Sequence, residues 1–476
     1  MKKGQIAVEL LFLSAVVASM ITGFVSLATS LLQISVRSQN KLQAFMAAEA
    51  GIEYYRWHLA HAGQDFTDGT GLAGPYVHYY YDKDGTKIGQ FSLDIVPPPT
   101  GSTVVTITST GSVLADSSVR KVIRVKLGKS SFANYGVAVN GDLMIGSGTE
   151  TFGPVFANGG IHFDGIAHNI VESAQTSYDD PTHGGGAEFG VHTHVDPIDP
   201  LPPAAVPNRP DVFMAGRAFP VPAVDFTKVT QSLASLKAQA QASGTYYASS
   251  SAFGYELVLT TSGIYSVYKV TTTAQIPNSC TNTSNEPGWA GWSVGSESFV
   301  ASGTIPDGGV LFFEDDLWVK GQIQGKRLTV AAARFPDNAS TWANIMVNSS
   351  TLYTNYNGSD SLGLIAQNNF NVGLYSEDIL RIDAAIVAQN GRIGRYYYSP
   401  PNISNNSQKC GDTVIRQKIT FYGSLISGGQ YGFGFNDSSG YQERDIIYDA
   451  NLFANQPPNF PLTTDQYSLV SWTEVQ

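Results

Sequence analysis

Glu9 is the first residue whose type and setting demand chemistry. It stands in QIAVELLFLSAVVASMITGFVSLATSLL, residues 5–32, a run with no other charge. A carboxylate deep in a spanning helix costs roughly 2.5 to 3.5 kcal/mol on insertion scales, while each Leu or Ile returns only about 0.3 to 0.6. Many apolar residues can carry one acid, and intramembrane acids generally face a functional partner. For a carboxylate in low dielectric that partner is a cation; the alternative is a Glu9 near enough to the helix end to reach the headgroups.

Four other groups could do chemistry. Cys280, in PNSCTNTSN, and Cys410, in SQKCGDT, are the two thiols of the 476-residue chain, and both stand in polar loop sequence. An even, low count suits an exported protein. One disulfide between them is the expectation, closing a loop of about 130 residues and worth about 2 to 4 kcal/mol; two separate thiols are the alternative. His183, His192 and His194, in PTHGGGAEFGVHTHVD, could form a metal site, because residues one apart in a strand face the same way. The glycine-rich setting favours solvated imidazoles, so no metal is expected. Glu314, Asp315 and Asp316, in FFEDDLW, would need an opposed geometry to act as a glycosidase pair. The DKDG stretch at 82–85 lacks the further ligands and closing glutamate of a calcium loop and reads as a hairpin turn. No nucleophile elbow, phosphate loop or zinc-protease helix is present. The chain is therefore expected not to be an enzyme, with no catalytic residue and no cofactor. Its net charge of −11, without a basic stripe, argues against nucleic-acid binding by the head.

The elements that must hold these residues begin with the apolar run. From Ile6 to Leu32 it would reach about 40 Å as a helix, and a bilayer core needs about 30 Å. It continues into Gln33–Ala60 without a cleavage-like break, so it reads as a retained membrane helix rather than a secretory signal. Lys2 and Lys3 before it, and Arg37 and Lys41 after it, give only a weak orientation signal. Leu42, Phe45, Ile52, Tyr55 and Leu59 lie along one helical stripe, predicting a single helix from about Gln5 to Ala60 whose second half is amphipathic.

KKG followed by QIAVE resembles the class III signal of type IV pilins. The resemblance implies cleavage by a prepilin peptidase between Gly4 and Gln5, with Glu9 fifth in the mature chain and paired with the terminal amine of a neighbouring subunit. Gln5 stands where bacterial pilins most often have phenylalanine and is closer to the archaeal pattern. AAEAGIEYY, in the stalk, is similar to the PilX-type minor pilins, as is much of the later sequence, including YDANLFANQPPNFPLTTDQYSLVSW. The implied partners are the prepilin peptidase, other pilin subunits and the inner membrane, with a surface glycan or a ligand on a host or partner cell for the head. The implied location is a single-pass membrane protein, its N-terminus cytoplasmic before cleavage and its head extracytoplasmic, on the pilus or cell surface.

After residue 65 the composition changes. Charged residues make up 14% of the chain, against about 25% in ordinary domains, and short β-branched or aromatic runs are punctuated by Gly, Asn and Asp, the pattern of a mainly-β head. Residues 1–4 are assigned to the leader, 5–64 to the membrane and stalk helix, and 65–128 to a small β meander. VAVNG and VFANG place Val137 and Val155 eighteen residues apart, and LIAQN and IVAQN place Ile365 and Val387 twenty-two apart. Periods near twenty point to a parallel β-helix or similar solenoid, in portions at 129–195 and 246–476, with a β-sandwich as the alternative. Between them, 196–245 combine a Pro-rich surface segment with one helix stopped at Gly244. The function expected is a minor pilin or pilus-like surface protein serving filament priming, tip display or adhesion. A membrane-anchored protein outside any filament is the first alternative, and a tethered polysaccharide-active enzyme the second.

Overall fold

Alanine, leucine and the absence of proline carry one helix, α1 (Lys2–His61), through both the apolar run and the alanine-rich stretch that follows, across the interior glycines Gly23 and Gly51. The computed structural model describes residues 2–278, 280, 291–306, 308–400, 410–435 and 437–475. It divides into two compact units, Met1–Pro98 with Val104–Gly128 and Gln466–Gln476, and Pro99–Thr103 with Lys129–Asp465.

In the first unit the far end of α1 lies on an antiparallel sheet of β1 (Tyr76–Tyr81), β2 (Lys87–Val96), β3 (Val105–Val113) and β4 (Asp116–Ser131), with the strand Leu462–Val475 beside β4. Ala48, Ile52, Tyr55 and Leu59, spaced three or four apart, are buried against Phe91, Leu93, Ile107 and Val125. Leu42, expected on this stripe, is instead exposed, and the small Ala44 takes its place because helix and sheet approach closely here. Gly51, of the AEAG segment, permits the approach: a β-carbon there would stand 2.8 Å from the Phe91 ring. The DKDG stretch forms the β1–β2 turn, where Asp82 Oδ1 accepts from the Asp84 and Thr86 amides and Gly85 takes φ +80°. The C-terminal strand is a departure from the expected boundaries, since its residues from Gln466 onward belong to this unit and not to the solenoid.

The second unit is a stack of parallel strands rather than a sandwich. Gly309–Phe313 pairs with Arg327–Ala332, then Ser361–Ala366, Ile379–Ala388 and Ile415–Ser427 follow in turn. The next partner is out of chain order: Ile415–Ser427 pairs with Val137–Val139, which leads to Val155–Ala157, Val171–Ser173 and Arg217–Ala218. The two expected portions thus form one continuous stack, with the earlier sequence on the end of the later. The spacings of eighteen and twenty-two are in-register partners, Val137 with Val155 and Ile365 with Val387.

Leu311, Val330, Leu364, Ile386, Leu425 and Val139 fill the interior of the stack. Their neighbours Phe312, Ala331, Ile365, Val387, Ile426 and Ala138 point outward into a second apolar layer, which Phe132, Phe226, Leu452 and Phe460 share with Val229, Leu233, Leu236 and Ala240 of α2 (Thr227–Ser243). Strands buried on both faces read as continuous apolar runs, which explains VLFF and LIA. The Pro-rich segment closes one end. Arg217–Ala218 pairs with the last rung, Val212 and Phe213 join the core, and buried Asp199 binds both Arg209 and Arg217.

Candidate functional site

The N-terminal half of α1 presents an apolar surface with one acid. Ile6, Val8, Leu10, Leu11, Phe12 and Leu13 are 57 to 73% exposed, and Glu9 is exposed among them. Among the described residues α1 is the helix long and apolar enough to cross a membrane, with a mean hydropathy of 2.2 in its most apolar stretch. Met1 and the side chains of Lys2, Lys3 and Gln5 lie outside the described residues, so the surroundings of the expected Gly4–Gln5 cleavage site are not described. The backbone from Lys2 onward is already helical.

The acidic triplet is consumed in packing. Glu314 receives bonds from Lys237, Tyr246 and the Phe335 amide, which hold its carboxyl below the usual range despite an opposing effect of burial. Asp315 accepts from Ser250 and Arg334, and Asp316 from Asn344 and Arg334. Every member is matched to a cation or a backbone amide, which is the chemistry of a structural network.

Cys280 and Cys410 are bonded, with Cα atoms 4.2 Å apart, in a small cluster with Leu374, Tyr396, Tyr398 and Val414. Beside it, fully buried Arg395 donates to the carbonyls of Gly373, Leu374 and Thr413 and to Ser376. Burial holds its guanidinium down to about 10.

The histidines depart most from expectation. His183 is half exposed, as a solvated loop residue would be, but the His192 side chain is 1% exposed. The strand Val191–His192 pairs in parallel with Ile161–Phe163, setting His192 opposite His162, and the ring centroids are 4.9 Å apart. His194 follows on the same face, its amide bonded to Asp164 Oδ1, with its ring 4.3 Å from His162 and 5.0 Å from His192. Asp180 and Glu188 complete the cluster: Asp180 Oδ2 is 2.8 Å from His162 Nδ1, and Glu188 Oε2 is 2.9 Å from His192 Nε2. Burial pushes the His192 pKa down, favouring a neutral ring. Burial also opposes charging His162, but Asp164 and Asp180 outweigh it and raise its pKa. His162, Asp180 and Glu188 were not singled out in the sequence; the signal that could have found them is the rung IHF, whose central histidine aligns with the first histidine of HTH.

No family model and no curated protein matches the chain. Among solved structures it is similar to the competence-associated pilin ComZ from Thermus thermophilus, at 12% identity and a TM-score of 0.30 over 92% of this chain and 97% of that one. A likeness of that size decides neither fold nor function.

Proposed function

We propose that this chain is a pilus-like cell-surface subunit, held in the membrane by α1 and displaying a large β head for filament priming, tip display or adhesion. The observation that carries the reading is α1 itself. Its first half exposes apolar side chains around one carboxylate, while its last third is locked onto a β sheet, so the membrane segment and the folded head share one rigid element.

In this reading a prepilin peptidase removes the residues up to Gly4, and the new amine at Gln5 of one subunit meets Glu9 of its neighbour. Pairing offsets the cost of each charge in low dielectric, whereas an unpaired one would be strongly penalised. The exposed apolar face of α1 then packs against equivalent helices of other subunits in place of lipid. The structural use of Glu314, Asp315 and Asp316 favours this reading over a polysaccharide-cleaving enzyme.

Labelling the head on intact cells tests the assignment. Signal at filament tips or along shafts supports it; signal scattered over the envelope and absent from sheared filaments favours an anchored protein outside any filament.

A further inference from the structure

Parallel strands in register set equivalent side chains about 4.8 Å apart, and the chain uses this spacing to bring imidazoles together. His162 and His192 are such a pair, and His194 follows one position beyond on the same face. Asp164 Oδ2 lies 2.9 Å from His162 Nε2 and accepts its N–H, which leaves Nδ1, on the cluster side, as the nitrogen that would carry the lone pair toward an ion. Asp180 is aimed in a similar way: its Oδ1 accepts from the Thr182 amide and hydroxyl, both at 2.8 Å, leaving Oδ2 toward the histidines.

His194 Nε2 is hydrogen-bonded to Glu188 and His162 Nδ1 to Thr182, but the close contacts of His192 are not hydrogen bonds. His192 Nε2 is 3.3 Å from Asp180 Oδ2, yet neither that oxygen nor either His192 ring nitrogen has a hydrogen-bond partner, and both side chains are at least 97% buried. Buried polar atoms left unbonded are costly. Ligands of a tetrahedral ion with bonds of about 2.0 to 2.1 Å are separated by about 3.3 Å. One ligand atom from each of His162, Asp180, His192 and His194 lies within 4.8 Å of the other three.

We propose that His162, Asp180, His192 and His194 bind one divalent transition-metal ion of the zinc class. Imidazole nitrogens as the majority donors select zinc, cobalt or nickel over calcium and magnesium, which prefer oxygen. Asp180 and Glu188, the latter against His192 and His194, supply two negative charges that balance the dication. Asp164 is the outer carboxylate that orients a ligating histidine. Four protein ligands leave no open position, so the role is structural: the ion clips residues 177–194 to the rung Ile161–Phe163. A groove of about 520 Å³ lined by His162, Tyr178, Asp180 and Thr182 gives the ion a route in.

The test uses the full-length protein in detergent, stripped with a chelator and titrated with Co(II) and then Zn(II). Expected are one ion per chain, the visible absorption of tetrahedral Co(II), its displacement by zinc, and a raised melting temperature. Asp180→Asn and His192→Gln should each weaken zinc binding by at least about tenfold, while His168→Gln, outside the cluster, should bind as wild type. Asp180→Asn carries the test if His192→Gln fails to fold. Substoichiometric zinc uptake by the stripped wild type, or wild-type affinity in Asp180→Asn, overturns the proposal, as does calcium binding in place of zinc.

Discussion

Gly111 on β3 lies directly against Ala44 on α1, so close that a β-carbon at 111 would overlap the Ala44 carbonyl oxygen and the Ala48 amide nitrogen. Backbone, which cannot swing aside, is what any side chain at 111 would meet. Gly111→Ala should therefore destabilise the first unit by about 1 to 3 kcal/mol through overpacking. Denaturant unfolding followed by Tyr and Trp fluorescence measures it, and a loss below the low end of that range would mean the helix rides higher on the sheet.

Gly4→Leu should leave the leader uncut, because a bulky side chain obstructs a site suited to glycine. Glu9→Ala and Glu9→Gln should be cut normally and insert at least as well, the Ala variant by about 2.5 to 3.5 kcal/mol at most. Both should be missing from sheared filaments for want of a counter-charge. N-terminal mass and head antigen in the sheared fraction check all three. Wild-type recovery of Glu9→Ala would defeat the pairing mechanism, and an intact Met1 in the parent protein would remove the pilin-like reading.

Cys280 and Cys410 should appear as one cross-linked peptide pair when the native protein is mapped without reductant. Cys410→Ser should cost about 2 to 4 kcal/mol, the scale expected for opening so long a loop. Alkylation of both thiols in the native protein would show the bond does not form.

Arg395→Met should be among the most damaging single changes in the second unit. It removes every donor that Arg395 offers to the Gly373, Leu374 and Thr413 carbonyls. Arg416 still reaches the Leu374 carbonyl, so at about 1 to 3 kcal/mol for each of the two carbonyls left unmet, those of Gly373 and Thr413, the total should be about 2 kcal/mol or more. A urea midpoint like that of wild type would show that water replaces the guanidinium.

Asp65 ties the loop after α1, and bonds from the Thr67 hydroxyl and amide and the Gly69 amide hold its carboxyl at about 2, below the ordinary 3.8. A folded-state value below the unfolded one contributes stability above about pH 4 and loses it as pH falls toward 2. Wild type should melt higher than Asp65→Asn at neutral pH, and the gap should close in acid. A gap that persists unchanged at about pH 2 would assign the effect to loop geometry rather than charge.

Local and periodic features were legible in the amino-acid sequence. The continuous α1, the turn at Asp82–Gly85, the stop of α2 at Gly244 and the rung spacings of Val137 with Val155 and Ile365 with Val387 each depend on neighbouring residues or on a repeat. Tertiary structure alone decided that Leu425 pairs with Val137, reversing the order of the two solenoid portions, and that the last strand leaves the solenoid for the sheet of β4. It also decided that His162 meets His192, thirty residues on and buried, while His183 stays half exposed. The physical reason is common to all three. A strand can satisfy its hydrogen bonds against many partners, so its own sequence does not select among them, and the choice falls to the shape and register of the finished fold.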